Sequence, residues 1–321
     1  MAAIRTEALT KHYRVGFWRP RPYVALEGLT LSVSEGEVFG CLGPNGAGKT
    51  TTLKLLMQLI YPTSGSAEIL GQPVGDVRMK RRIGYLPENP YFYDYLTAEE
   101  LLQYFAGLFG YAPAERRRRA AALLDQVGIG AERRMQLRTF SKGMLQRVGI
   151  AQALINDPEV VFFDEPMSGL DPLGRREIRQ LILQLRDRGC TVFFSSHVLA
   201  DAEALCSRVA ILASGRLAGL GRLTDLVAFQ ARGWELVVGG LDDAALAHAK
   251  MTQLVVRDTP LGDRRYALEV PLSVSPERAI AELTGRGASL VSINPLRETL
   301  EDYFVRQVAA APHERGLGTG T

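Results

Sequence analysis

Cysteine is scarce in this chain, with three residues, Cys41, Cys190 and Cys206, among 321. They are scattered and lack the paired spacing of a metal site, which points away from cysteine-ligated zinc or an iron–sulfur cluster. Cys41 sits inside an apolar run, and all three read as reduced, small hydrophobic residues of a cytosolic protein. Long hydrophobic runs are also missing: none approaches the roughly 18 residues that a membrane-spanning helix needs. No secretory leader is visible, because Ala3 to Leu9 already reads as a strand. A role at a membrane would therefore come through a partner. An excess of one charge is absent as well. The 38 Lys and Arg against 35 Asp and Glu leave a formal charge of +3, too little to support nucleic-acid binding. What remains is an ordinary globular composition, 46% hydrophobic and 23% charged, long enough for one large domain with a small one or for two of medium size.

Glycine is where the sequence becomes specific. Gly43-Pro44-Asn45-Gly46-Ala47-Gly48-Lys49-Thr50-Thr51 is a phosphate loop of the form G-x-x-x-x-G-K-[ST]. The apolar run Val38 to Leu42 predicts a strand leading into it, and the periodicity of Thr50 to Ile60 predicts a helix leaving it, stopped by Pro62. Glycines let backbone N–H groups turn inward without a Cβ in the way, which makes a nest for phosphate oxygens. The helix points the positive end of its dipole at the same place. Lys49 can reach the β- and γ-phosphates, and the Thr50 hydroxyl is placed to ligate Mg²⁺.

A second phosphate-chemistry element follows. Val160-Val161-Phe162-Phe163-Asp164-Glu165-Pro166 reads as a buried strand that ends in two carboxylates. In parallel α/β sheets ligands bind beyond the carboxyl ends of strands, which is where Asp164 and Glu165 fall. Neighbouring strand residues point to opposite faces, so these two acids cannot share one task. One is suited to steady the Mg²⁺ shell and the other to polarise a water. Taken alone, the same pair could simply cap the next helix.

Three further segments narrow the reading: Phe140-Ser141-Lys142-Gly143-Met144-Leu145-Gln146-Arg147 before a helix from Val148 to Ile155, Ser168-Gly169-Leu170-Asp171-Pro172, and the buried run Thr191 to Ser196 ending at His197. In isolation Ser141 would be a plain helix cap and His197 a histidine satisfied at a strand end. In this order, over roughly residues 4 to 220, the set resembles the ATP-binding-cassette (ABC) ATPases. The resemblance implies that Gly43, Gly48, Lys49 and Thr50 form the Walker A loop around ATP. It makes Asp164 the end of the Walker B strand beside Mg²⁺, and Glu165 the general base. Ser141 and Gly143 become the signature that touches the γ-phosphate held by a partner subunit. Ser168 to Asp171 become the D-loop, and His197 the switch histidine. Tyr13 lies where the family places an aromatic that stacks on adenine, a task that Tyr23 or Phe17 could also serve.

Two departures from the commonest family wording stand out. Phe140, Lys142 and Met144 replace the usual Leu, first Gly and Gln of the signature. Glu88, in Ile83-Gly84-Tyr85-Leu86-Pro87-Glu88, stands where the Q-loop usually carries glutamine. An ionised carboxylate accepts but cannot donate, so Glu88 can sit near Mg²⁺ but cannot donate to a water. Both departures resemble prokaryotic exporter ATPases that work with a separately encoded membrane permease.

The fold expectation is α/β: a phosphate-loop NTPase core with an antiparallel β subdomain and a helical subdomain, followed by a small α+β domain. The cassette is expected over residues 1–222, with the helical subdomain at about 90–157. Thr97 opens a helix through Leu102, Phe105 and Leu108 there, and Ala114 to Val127 forms another. Arg116 to Arg119 reads as a solvated helix face, and Gly16 to Tyr23 as an exposed loop. Residues 223–310 show a β-α-β-β-α-β order that suggests a ferredoxin-like accessory domain. Its strands are expected at Glu235–Val238, Leu254–Arg257, Tyr266–Leu272 and Ser289–Ile293. Its helices are expected at Ala244–Met251, Pro276–Gly285 and Arg297–Val308. Residues 311–321 read as a disordered tail. The resemblance implies an ATP-hydrolysing subunit that forms a homodimer, or a pseudo-symmetric dimer of ATPase subunits, around two Mg·ATP and drives a separate permease from the cytoplasmic face of the membrane. A soluble, non-transport cassette ATPase acting as a scaffold or assembly factor is the alternative that the residues leave open. The cargo is unreadable.

Overall fold

The computed structural model describes residues 1–16, 21–226 and 231–297. They divide into two compact units that part between Leu223 and Thr224.

The first unit begins with a long antiparallel ribbon, β1 (Ala2–Val15) and β2 (Arg21–Ser34). Leu29, Leu31 and Val33 are buried and alternate with exposed Thr30, Ser32 and Ser34, the period of a strand with one wet face. Arg21 to Tyr23 pair with Val15 to Tyr13, so the expected exposed loop at Gly16–Tyr23 is corrected: its last residues belong to β2. Pro22 misled the reading, yet β2 is an edge strand, and proline is tolerated on edges.

The buried strand β3 (Val38–Leu42) runs into the glycine-rich loop and then into α1 (Lys49–Leu56). That helix ends earlier than its periodicity predicts. Gln58 adopts the left-handed conformation, φ 51°, which stops a helix just past its cap. Strands β4 (Ser64–Ile69) and β5 (Gln72–Pro73) complete a four-stranded antiparallel sheet in the order β2-β1-β4-β5. A short α2 (Val77–Lys80) leads to β6 (Ile83–Leu86).

A helical layer follows, made of α3 (Ala98–Leu108), α4 (Pro113–Gln126) and α5 (Lys142–Ala153). Thr97 caps α3 in a full capping box. Its hydroxyl accepts from the Glu100 N–H at 3.2 Å, while the Glu100 carboxylate accepts from the Thr97 N–H at 2.8 Å. Thr97→Ala is expected to cost about 1 kcal/mol. In a unit of this size that lowers the melting temperature by about 2–4 °C, readable by thermal denaturation followed by circular dichroism.

The chain then returns to the central sheet through β7 (Val160–Asp164), α6 (Pro172–Asp187), β8 (Thr191–Ser196), α7 (Leu199–Leu205), β9 (Arg208–Ala213) and β10 (Arg216–Arg222), and α8 (Leu223–Leu226) follows. The six strands lie in the order β10-β9-β3-β8-β7-β6, and all but β10 run parallel. Strands β3, β7 and β8 are buried at every position, as a parallel sheet covered on both faces requires. One core unites the two sheets. Leu53, Leu55 and Leu56 of α1 share it with Ile4, Leu29 and Val33 on one side and Phe39, Phe162 and Phe193 on the other. Each such side chain contributes about 1.5–3 kcal/mol on full burial, so α1, and the loop in front of it, is fixed from both sides.

The second unit contains β11 (Ala231–Gly239), α9 (Asp243–Met251), β12 (Arg257–Gly262), β13 (Arg265–Pro271), α10 (Pro276–Thr284) and β14 (Ser289–Arg297). Its antiparallel sheet has the order β12-β13-β11-β14. Leu236, Val238, Leu268 and Val270 form a core with Ala245, Leu246, Ala279 and Leu283 of the helices. The expected strand at Leu254–Arg257 is corrected to Arg257–Gly262. Leu254 and Val255 are apolar because they close the core after α9, whereas β12 is a mostly exposed edge strand with no apolar pattern to announce it. Arg297 ends β14; the rest of the expected helix Arg297–Val308 and the tail 311–321 lie outside the described residues.

Candidate active site

The parallel register decides where the chemistry can gather. Leu42 is level with Ser196, and Asp164 with Ser195. The ends of β3, β7 and β8 therefore deliver the glycine-rich loop, Asp164, Glu165 and His197 to one edge of the sheet. Two glycines make the loop possible. A Cβ on Gly43 would lie 2.6 Å from the Leu212 carbonyl oxygen. Gly48 has φ 104°, and its Cβ would lie 2.7 Å from the Ala25 carbonyl oxygen. Gly48 is also the N-cap of α1; no side chain caps that end and no acid lies in the first turn. Its amides are left for an external anion. They face a cavity of about 270 Å³ lined by Pro44, Asn45, Gly46, Ala47, Gly48, Lys49, Thr50 and Thr51, with Tyr23, Ala25, Glu88 and Glu165 completing the wall.

Around this cradle runs a continuous polar network. The Lys49 ammonium donates to the Gly43 carbonyl at 2.7 Å and the Pro44 carbonyl at 3.3 Å, and its Nζ lies 3.3 Å from Glu165 Oε1. The other oxygen of Glu165 lies 2.9 Å from His197 Nδ1. The Thr50 hydroxyl donates to Asp164 Oδ1 at 3.2 Å, and the Ser195 hydroxyl donates to the same oxygen at 2.6 Å. Ser195 also accepts from the Glu165 N–H at 3.0 Å. Glu165 has φ 50°, a left-handed conformation that costs a non-glycine residue about 1–3 kcal/mol and persists only where surroundings impose it.

Burial pushes the Asp164 carboxyl above the usual carboxylate range. The bonds from Ser195 and Thr50 work against that, and the charges of Glu88 and Glu165 add to it. A cation held there would reverse the balance. Burial also pushes the Cys41 and Cys190 thiols up to about 12 and raises Cys206 as well, so all three remain protonated hydrophobic side chains.

The donor set fits Mg²⁺ and a triphosphate. Thr50, Asp164 and, on the cavity wall, Glu88 offer only oxygen, the ligand type of a hard cation. Among the described residues no cluster of three or more His, Cys, Asp or Glu could hold a metal unaided. That suits an ion bound through one or two protein groups plus phosphates and water, which is the habit of Mg²⁺.

Not every expected residue meets this cavity. Tyr13 is not among its lining residues; Tyr23, its direct partner across the β1–β2 ribbon, is. The Lys11 ammonium instead sits over the Tyr13 ring, 5.1 Å from its centre. Ser141 caps α5, its hydroxyl accepting from the Met144 N–H at 3.3 Å. Gly143 follows in the first turn of that helix, and Asp171 caps α6 by accepting from the Gly174 N–H at 2.8 Å. None of Ser141, Gly143 and Asp171 lines the cavity around Lys49. Two residues that sequence reasoning passed over do reach the site. They are Ser195, fully buried between Asp164 and Glu165, and Gln146, 1% exposed beneath the Glu165–Pro166 turn. A polar side chain in an otherwise apolar, buried run signals an obligatory partner.

A glycine cradle with its lysine and hydroxyl, at the ends of a parallel sheet that also presents two carboxylates, defines a phosphate-loop nucleoside-triphosphate hydrolase of the α/β class. The ABC transporter family matches residues 26–168. An ABC transporter ATP-binding protein of Synechocystis sp. is 46% identical over 318 residues, 98% of this chain and 86% of that protein. The fluoroquinolones export ATP-binding protein of Mycobacterium tuberculosis is 41% identical over 204 residues, 63% of this chain and 66% of that one. Among solved structures, a dimeric ATP-binding cassette in a post-hydrolysis state bound to ADP and Pi matches with a TM-score of 0.64 and 28% identity. That match spans 68% of this chain and 98% of the cassette. The chain belongs to the ATP-binding subunits of ABC transporters. It is an ATPase that uses ATP and Mg²⁺. Among the described residues no helix is long and apolar enough to cross a membrane.

Proposed function

We propose that the chain is the ATP-hydrolysing subunit of an exporter, acting as a head-to-tail dimer on a separate membrane permease from the cytoplasmic face. The observation that carries the hydrolytic assignment is the placement of Glu165 on the cavity wall, one oxygen 3.3 Å from Lys49 Nζ and the other 2.9 Å from His197 Nδ1. In this reading the amides of Gly46, Gly48 and the first turn of α1, together with the Lys49 ammonium, hold the triphosphate, exchanging the Lys49–Glu165 pair for a lysine–phosphate pair. Glu165 Oε1, released from Lys49, accepts the proton of the attacking water. His197 keeps the other Glu165 oxygen and turns the carboxylate toward the terminal phosphate. Thr50 and Asp164 would hold Mg²⁺, with Glu88 nearby; the ion supplies charge neutralisation on the phosphate oxygens. Tyr23, with Tyr13 beside it, offers the adenine a ring to stack on.

The dimer is supported by the position of the signature. Ser141, Gly143 and Asp171 do not line the chain's own cavity, so a second copy is the means by which they would meet a nucleotide. The solved cassette it resembles is dimeric. Export is supported by the relative named for fluoroquinolone export. The test is purification of the tagged, full chain from detergent-solubilised membranes of its own cells. The expected result is co-elution with a polytopic membrane protein, and ATP hydrolysis by that complex. Recovery of the chain only from the soluble fraction would favour the scaffold alternative.

A further inference from the structure

The backbone of Glu165 is held from two sides by side chains of other elements. Its N–H donates to Ser195 Oγ at 3.0 Å. Its carbonyl closes the following turn by accepting from the Ser168 N–H at 3.0 Å. The carbonyls on this stretch also receive the Gln146 side chain, whose Nε2 lies 3.2 Å from the Pro166 oxygen and 3.5 Å from the Glu165 oxygen. Gln146 is 1% exposed, and its helix neighbours Val148, Gly149 and Ile150 are buried too. Burying an amide in such surroundings costs several kcal/mol unless it is bonded, so the position is explained by those carbonyls and not by packing. The same helix, α5, starts at Ser141 and carries Gly143 in its first turn. Within one rigid helix, therefore, one end bears the signature and a point further along grips the turn that sets the left-handed backbone of Glu165.

Resting on the function proposed above, we infer that Gln146 is a positioning residue that couples signature engagement to the catalytic base. A shift of α5, when Ser141 and Gly143 close on the nucleotide of a second copy, moves the Gln146 amide and with it the Glu165–Pro166 turn. Hydrolysis in one site of the dimer thereby registers that the other is filled. The residue acts through Glu165 and touches no reacting atom.

The test uses the full chain carrying Gln146→Met, which keeps length and volume but has no donor. Gln146→Leu is the second variant. Losing one such bond predicts a fall in kcat of about tenfold, equivalent to about 1.4 kcal/mol. The KM for ATP and the ATP affinity by calorimetry stay within about twofold, because the Lys49 cradle is untouched. In the Glu165→Gln background, measured by single-turnover hydrolysis of γ-labelled ATP, the same substitution is expected to have no further effect, since interacting residues are not additive. Unchanged kcat in Gln146→Met would overturn the inference. So would an equal extra loss in the Glu165→Gln background, or failure of both variants to fold, which would make the amide a packing requirement only. Wild-type ATPase in Glu165→Gln alone would instead sink the functional reading on which the inference rests.

Discussion

Glu165→Gln is expected to lower ATP turnover on the order of 10³-fold, within the span that general acid–base groups contribute, while Mg·ATP still binds. The amide has the shape of the carboxylate but cannot take a proton from water, so the loss falls on kcat and not on binding. Binding should even improve. In the wild-type chain Glu165 competes for the Lys49 ammonium at 3.3 Å, both groups being less than a tenth exposed. A buried pair of this kind must be broken before lysine can serve a phosphate, and glutamine relaxes that hold. Because the variant binds without cutting, ATP should trap it as a dimer that elutes earlier in size-exclusion chromatography and falls apart when Mg²⁺ is chelated. Near wild-type ATPase would remove Glu165 from its assigned role, and a monomer under saturating ATP would remove the sandwich.

Lys49→Ala is expected to strike one step earlier and abolish tight nucleotide binding. The ammonium has two tasks in this geometry. It would meet the phosphates, and it ties the loop to itself through the Gly43 and Pro44 carbonyls at 2.7 and 3.3 Å. Losing charge-assisted bonds worth about 1.5–3 kcal/mol predicts an affinity weaker by roughly 100-fold. The residual Glu165 charge, now without its lysine, points at the incoming triphosphate and adds to the loss. Isothermal titration of Mg·ATP into wild type and variant reads the effect directly, and an unchanged affinity would count against the loop assignment. Lys49→Arg should not restore binding. The planar guanidinium is wider than an ammonium, and the lysine it would replace is 6% exposed at the start of α1.

Much of this site was legible in the residues because its chemistry is local in sequence. A phosphate cradle needs its glycines, lysine and hydroxyl within one turn, so Gly43 to Thr51 announce themselves. The buried runs Val38–Leu42 and Val160–Phe163 could be read because a strand buried on both faces has to be apolar throughout. The expected strand carrying both carboxylates is corrected, however: β7 ends at Asp164, and Glu165 leaves it with φ 50°. What escaped was contact between distant segments. Nothing near Tyr13 tells that a ribbon register sets Tyr23 on the cavity wall in its place. Ser195 and Gln146 looked like ordinary polar residues until β8 and α5 were laid against the end of β7. The edge strand β12 was misplaced for the opposite reason: with few residues buried it has no pattern to read. The early stop of α1 at Gln58 is a backbone choice that side-chain periodicity does not encode.

The core that joins the two sheets through α1 has a mechanical consequence. It draws on none of α3, α4 and α5, so the nucleotide cradle behaves as an anvil seated in stone, since close-packed interiors transmit displacement and do not absorb it. Under the proposed function, any displacement set off at the terminal phosphate would fall to α3, α4 and α5 and not to α1.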